Sequence, residues 1–376
     1  METRPVKSHQ RFARMSAAAL AAAVTLGSAL AAQPIKIGVA EALSGPAAQY
    51  GVSIRNGFEM AVDQINAAGG VNGSKIELVV EDEQGKKDEA INAFKKLIFQ
   101  DKTLMLFGPT LSNSASAADP IAQASKIVVF GTSNTADGIT TIGDHVFRNS
   151  VTEGDVLPVT IKVAAKVAKI RKVAVLYGND DVFTKSGYDA FKKALDDQKM
   201  PVTTTETFAK GDVDFKAQLT KIKATNPDAI VLSALIAEGA PIMVQARQLG
   251  LNVPFIGGNG MNSVKVFDLA KGASDGLWVG SPWSIENHTP ANTSFIIAFT
   301  KKYSAPPDQF AAQAYDAMHI ASEALQAAMP AVKWNGATGP FAFRRVTDKS
   351  GKPAGYDANQ EAIVSTTRGK SYEIEK

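Results

Sequence analysis

The stretch Leu104-Met-Leu-Phe-Gly-Pro-Thr-Leu-Ser-Asn-Ser-Ala-Ser116 decides how this chain is read. Leu104 to Phe107 is an apolar run with the length of a fully buried strand, and it stops at Gly108-Pro109. The hydroxyl residues Thr110, Ser112, Ser114 and Ser116 follow, and Ala117 to Ala124 has the composition of a helix start. In an α/β sheet, a strand that turns at Gly into a Ser-opened helix leaves free N–H groups in the crevice beyond the strand's C-terminal end. Together with the positive end of the helix dipole they make a seat for a carboxylate or phosphate. The device repeats twenty residues on, where Ile127 to Phe130 runs into Gly131-Thr-Ser-Asn-Thr-Ala-Asp-Gly138, carrying Ser133, Asn134 and Thr135. Each segment alone reads as a helix cap or polar turn. Two in tandem imply one anion held from two sides.

Around this pair the pattern alternates regularly. Ile35 to Ala40 reads as a strand, Glu41 to Gly51 as a loop, and Ile54 to Ala67 as a helix with Ile54, Phe58, Ala61, Val62 and Ile65 on one face. Another strand and helix precede the opening stretch. Thr152-Glu-Gly-Asp155 interrupts the pattern, which restarts and runs as βα units to about residue 282. Two long helices follow, and then a tail of short strands and turns. The fold class is α/β, with two lobes. No Gly/Ser- or Pro-rich linker separates the βα sets, so short crossing segments are expected near Asn149–Thr152, near Ser281–Pro282 and late in the tail. The expected division is a signal peptide over 1–32, a first lobe of 33–151 plus 283–356, and a second of 152–282 plus 357–376. Asn149, Thr152, Glu153, Ser281 and Pro282 are the expected hinge, about which two lobes can close on a ligand.

Composition narrows the function. The first 32 residues combine a basic start, an apolar Ala-rich run and the small residues Ala29-Leu-Ala31, the pattern of a cleavable secretory signal. No Cys follows it, which closes the lipid-anchoring route, so an exported, soluble periplasmic protein is expected. Four of the 40 basic and one of the 37 acidic residues fall in that segment, so the remainder carries 36 of each. A balanced chain gives no global basic field for nucleic acid. The absence of Cys removes disulfides, thiol catalysis and Cys-based metal sites. Four scattered His residues give no support for a metal site. No cofactor is expected.

Leu43-Ser-Gly-Pro-Ala-Ala-Gln-Tyr-Gly51, Ile65-Asn-Ala-Ala-Gly-Gly-Val-Asn-Gly73 and the opening stretch together resemble the branched-chain amino-acid-binding proteins of bacterial ABC importers, across essentially the whole mature chain. The resemblance implies the type I periplasmic binding fold: two Rossmann-like lobes, three hinge crossings, and a ligand buried between them. It also implies a monomer that delivers its ligand to a membrane permease, and no enzymatic activity. Carried over position by position, it places Ser112 on the ligand carboxylate, with Ser133, Asn134 and Thr135 in the second gripping turn. Tyr50 lines the cleft, Phe310 an apolar pocket, and Phe183 falls near an aromatic that stacks on the ligand. Leu235 stands where the family has a ligand-contacting aromatic, and Glu153 lies close to an acidic hinge position. The main departure is Asn259. Amino-acid binders of the family place a Glu there, which neutralises the ligand ammonium.

An uncompensated ammonium in a closed cleft costs several kcal/mol of desolvation. The expected ligand is therefore a small carboxylate without an amine, with an aromatic or branched aliphatic body. The runner-up reading is a conventional leucine/isoleucine/valine or other amino-acid binder. A ligand sensor on the same fold and an enzyme stand behind it. The enzyme reading lacks G-x-G-x-x-G after a strand, G-x-S-x-G, a P-loop, and any Ser/His/Asp grouping near the site.

Overall fold

The computed structural model describes residues 33–325 and 333–375. The expected signal segment, 1–32, lies outside the described residues. The chain begins with β1 (Ile35–Glu41), α1 (Ala48–Ala67), β2 (Ile76–Asp82), α2 (Lys87–Lys95), β3 (Met105–Phe107), α3 (Ser112–Ala124), β4 (Val129–Gly131) and β5 (Val146–Arg148). These strands pair in parallel in the order β2-β1-β3-β4-β5.

Residues 149–152 then carry the chain into a second sheet. Its elements are α4 (Glu153–Val167), β6 (Val173–Gly178), α5 (Val182–Asp197), β7 (Val202–Phe208), α6 (Lys216–Ala224), β8 (Ala229–Ser233), α7 (Ile236–Gln248), β9 (Phe255–Gly257), α8 (Lys265–Ala270) and β10 (Leu277–Ser281). The order is β7-β6-β8-β9-β10, again parallel. The chain returns through 282–289 to α9 (Pro290–Tyr303) and α10 (Gln309–Ala324), then to β11 (Lys333–Gly336), β12 (Gly339–Thr347) and β13 (Pro353–Ala358) on the outer side of β5. A last crossing at 359–362 delivers β14 (Ile363–Arg368) and β15 (Ser371–Ile374) to β10.

The βα part of each sheet is parallel because helical crossovers connect its strands, and the tail strands pair antiparallel because only short turns join them. Both sheets are therefore mixed. The inner parallel strands are covered on both faces and read as apolar runs without alternation, whereas the edge strands β2 and β7 are partly exposed and carry polar residues. All three residues of β3 and all five of β8 are buried. Phe107 at the end of β3 packs against Phe58 of α1 and Phe130 of β4, with ring centroids 4.6 and 5.5 Å apart. Burying such side chains contributes about 1.5–3 kcal/mol each. α1 lies along α10, and Gly57 permits the approach, since a Cβ there would stand 2.3 Å from the Ala311 carbonyl oxygen.

Four boundaries differ from the sequence reading. α3 begins at Ser112 and not at Ala117, because Leu111 already takes the extended backbone of a helix cap and the hydroxyl residues form the first turns. α1 begins at Ala48, so Tyr50 stands on a helix where a loop was expected. Its first turn lacks the apolar spacing that marks the helix from Ile54 onward. The last crossing lies at 359–362, beyond the expected division at 356/357, because β13 pairs with β12 as far as Ala358. The return crossing occupies 282–289, so Ser281 is the last residue of β10 and Pro282 the first of the connection.

Candidate functional site

The strand order reverses between β1 and β3 in one sheet and between β6 and β8 in the other. In open α/β sheets such switch points open a crevice at the strands' C-terminal ends, where the loops diverge to either side. The two crevices face each other here. Gly108 leads out of β3 with φ +103°, and any Cβ there would lie 2.1 Å from the Ala40 carbonyl oxygen, so only glycine permits this turn. The turn presents Thr110, Leu111 and Ser112, and the end of β4 presents Ser133. The first turns of α1 and α10 add Tyr50 and Phe310. From the other lobe come Phe183 in the first turn of α5, Leu235 capping α7, and Asn259 and Gly260 in a short 3₁₀ turn after β9. These ten residues line one cavity, which in the closed cleft leaves about 20 Å³ open to a water-sized sphere.

The polar wall suits an anion. No side chain caps α3, so its first amides have no intrahelical partner, and Leu111 and Ser112 at that end line the cavity. Ser112 Oγ accepts a bond from the Ala136 amide at 3.2 Å, which leaves its own proton free to donate. Ser133 is different: its hydroxyl donates to the Thr110 carbonyl at 2.7 Å, so it offers a ligand only lone pairs. Thr110 is held in turn, accepting from the Ala42 amide at 2.8 Å and donating to buried Glu41 at 2.5 Å. The apolar wall is aromatic. Tyr50 and Phe310 meet edge-on at 4.8 Å, and a Cβ on Gly260 would stand 3.1 Å from the Phe183 ring. No Asp, Glu, Lys or Arg belongs to the lining.

Two of the expected ligand residues are not on this wall. Asn134 turns inward, its amide donating to the Pro109 carbonyl at 3.0 Å, so it ties the two anion turns together. Thr135 faces Glu153 instead. Glu153, 1% exposed, is the first residue of α4 and lies behind Asn259, whose amide donates to Glu153 Oε1 at 3.2 Å. Burial pushes this carboxyl up to about 8, against the pull of the Asn259 amide. The Thr135 hydroxyl faces this carboxyl and helps to lower it, and beyond that contact neither Thr135 Oγ1 nor Glu153 Oε2 has a hydrogen-bond partner. Behind the second turn lies Arg148, 1% exposed, which donates to the carbonyls of Asn134 and Ala136 at 3.0 and 2.9 Å and pairs with Asp357 at 2.8 Å.

Of the expected hinge residues, Asn149 and Thr152 lie in the first crossing. Asn149 donates to the Gln313 carbonyl at 2.8 Å, and Thr152 caps α4 by accepting from the Asp155 amide at 3.2 Å. Ser281 donates to the Trp283 carbonyl at 2.6 Å across the second. Thr110, Leu111 and Gly260 line the cavity but were not among the expected site residues. The hydroxyl cluster signals Thr110. Leu111 and Gly260 carry no chemical signal, and only the turn geometry brings them in.

The cleft is closed. Tyr50 accepts from the Ile236 amide at 2.8 Å and donates to the Gly260 carbonyl at 2.9 Å, both in the other lobe. Asn113 Oδ1 accepts from the Val182 amide at 2.8 Å, and its amide donates to Asp181. Asn262 donates to Gln309 at 3.0 Å. Tyr50→Phe would leave a buried amide and carbonyl unmet on closure, at about 1–3 kcal/mol. Ligand affinity should fall roughly 5- to 150-fold with the unfolding midpoint of ligand-free protein nearly unchanged. Calorimetric titration checks this, and unaltered affinity would mean that the bridge plays no part in closure.

Comparison with known proteins agrees with this geometry. The periplasmic binding protein family model matches residues 34–352. A leucine-, isoleucine-, valine-, threonine- and alanine-binding protein of Pseudomonas aeruginosa is 31% identical over 323 residues, 86% of either chain. A branched-chain amino acid transporter substrate-binding protein of Streptococcus pneumoniae, solved with isoleucine, superposes with a TM-score of 0.83 at 28% identity, covering 91% of this chain and 99% of its own. A solute-binding protein of Rhodopseudomonas palustris solved with benzoate shares the fold, with a TM-score of 0.78 at 24% identity over 91% and 95% of the two chains. With two lobes closing over an anion-suited cleft and relatives matched over nearly their full lengths, the chain belongs to the periplasmic binding protein family.

Proposed function

We propose that this protein is the exported solute receptor of an ABC importer, and that it captures a small acid lacking an ammonium group. The observation that carries the reading is the cavity wall, with hydroxyls and free amides at one end, aromatic and aliphatic carbon around the rest, and no ionised acid. A carboxylate docks on Ser112 and the first amides of α3. The body of the ligand packs between Tyr50, Phe310 and Phe183, and the closed form is what a permease recognises. Asn259 supplies no charge, and the nearest acid, Glu153, is mostly protonated at pH 7 when its carboxyl sits at about 8. An aromatic or branched aliphatic acid fits such a wall.

A second reading is favoured by Glu153 Oε2 and Thr135 Oγ1, which have no hydrogen-bond partner beyond each other. An ammonium reaching them would pull Glu153 into its ionised form, and the ligand would then be leucine, isoleucine or valine, as the name of the Pseudomonas relative says of that protein.

Thermal unfolding of the chain from Gln33 onward, against a panel of amino acids and a panel of aromatic and branched aliphatic acids, separates the two. A ligand at 100 times its Kd stabilises by about 2.7 kcal/mol, a shift of several degrees. Stabilisation by acids alone is the expected result. Stabilisation by leucine, isoleucine or valine would establish the second reading, and no shift in either panel would sink both. Ser112→Ala should weaken the bound acid roughly 10- to 100-fold by removing one charge-assisted donor, as measured by calorimetry.

A further inference from the structure

Two residues of the cavity wall, Leu111 and Leu235, also line a second and larger space, about 210 Å³ against about 20 Å³ for the first. They are the residues common to both spaces, so the partition consists of two aliphatic side chains contributed by opposite lobes. Each is the cap residue of a helix, and both are buried in the hydrophobic core, 5% and 9% exposed. Because the two side chains come from opposite lobes, parting of the lobes about the hinge is what separates them and joins the two spaces.

The second space is not a plain widening of the first. Its walls combine the apolar Pro46, Ala47 and Ala237 with Gln84, Glu238 and the solvent-exposed lysines Lys86 and Lys210. Lys86 makes no ion pair among the described residues, while Lys210 pairs with Asp181 and also acts on Glu238. Lys86 donates to the neutral Gln84 side chain at 2.9 Å, and Lys210 stands 3.8 Å from Asp181, whose carboxylate is already engaged by Asn113. Glu238, the acid on this wall, is buried and accepts the Gly211 amide at 3.0 Å. The inner cavity thus offers uncharged donors for one carboxylate, and the second space, divided from it by two leucines, carries two lysines and one buried acid. Cations separated from the first site by carbon are of no use to a short monoacid.

The geometry points to a dicarboxylate as the ligand class: one carboxylate on Ser112 and the α3 amides, an aromatic or aliphatic spacer passing between Leu111 and Leu235, and a second carboxylate held at the rim by Lys86 and Lys210. This rests on the reading of the cleft as an ammonium-free acid site.

Calorimetry with two matched pairs tests it, cinnamate against 4-carboxycinnamate and octanoate against nonanedioate, on wild type and on a Lys86→Gln/Lys210→Gln double variant. Both lysines are surface residues outside the inner wall, so the variant keeps its fold. In wild type at least one diacid should bind tenfold or more tightly than its monoacid partner, with an affinity that falls as salt is raised. In the double variant that advantage should disappear while monoacid affinity stays within threefold. Diacids binding no better than monoacids, or no worse in the variant, would overturn the inference and leave the acid-receptor reading standing. Failure of all four probes at millimolar concentration would overturn both.

Discussion

Arg148→Ala should lower the free energy of unfolding by about 3–5 kcal/mol, the cost of breaking a buried ion pair and leaving its partner charged in the interior. Arg148 closes two bonds to Asp357, from Nε at 2.9 Å and from Nη2 at 2.8 Å, and two more to the Asn134 and Ala136 carbonyls. Asp357 belongs to β13, four residues after Pro353 and just ahead of the last crossing. One side chain therefore clamps the second anion turn to a strand more than 200 residues away. Lysine cannot replace it, because a single ammonium lacks the planar fork that reaches all three acceptors. Denaturant unfolding should show a lower midpoint at unchanged slope. A loss below about 1 kcal/mol would mean that water or a rearranged turn replaces the guanidinium. Any residual ligand affinity should also drop, since the Ala136 amide that orients Ser112 sits on the released turn.

Glu153→Gln should flatten the pH dependence of stability between about pH 5 and 8. The folded-state carboxyl sits at about 8 against an ordinary 4.5, chiefly because burial disfavours its charge. The native state therefore holds a proton that the unfolded chain has released. Its contribution is fully present below pH 4.5 and is lost as pH rises through 8, at up to about 1.4 kcal/mol per unit. Glutamine keeps the shape and never ionises, so the variant should match wild type near pH 5 and exceed it by a few kcal/mol at pH 8. Glu41 and Glu83, also raised by burial, remain in both proteins, so the comparison isolates position 153. Equal slopes would place the carboxyl in water. The variant also divides the ligand readings. Affinity for an ammonium-free acid should stay within threefold, whereas an amino acid held by Glu153 would lose a hundredfold or more.

The residues that carry chemistry were legible in the sequence where a local rule names them. The runs ending at Gly108 and Gly131 are bounded by turn residues, and the hydroxyls behind them have few structural uses in a row. What escaped was set by distance. Nothing near Asn134 says that its side chain reaches back to Pro109, and Thr135 looks equivalent to Ser133 until the turn places one on the cavity and the other against Glu153. Ser133 itself reads as a donor, yet it spends its proton on the Thr110 carbonyl. Leu111 was missed because a leucine between two polar residues has no signature of its own, and its position between two spaces depends on a second lobe 120 residues away.

By itself the sequence determined the α/β class, the family and the places where strands hand over to helices, because apolar runs, glycine punctuation and helical spacing are local properties of the chain. Only the tertiary structure decided that two switch points face each other, that Tyr50 bridges the lobes, and that the cavity wall is free of ionised acid while a neutral-leaning Glu153 stands behind it. Those features depend on which oxygens and amides remain unpaired after the chain has closed on itself. Pairing across more than a hundred residues is fixed by the packing of two sheets and three crossings, and no window of sequence contains both partners.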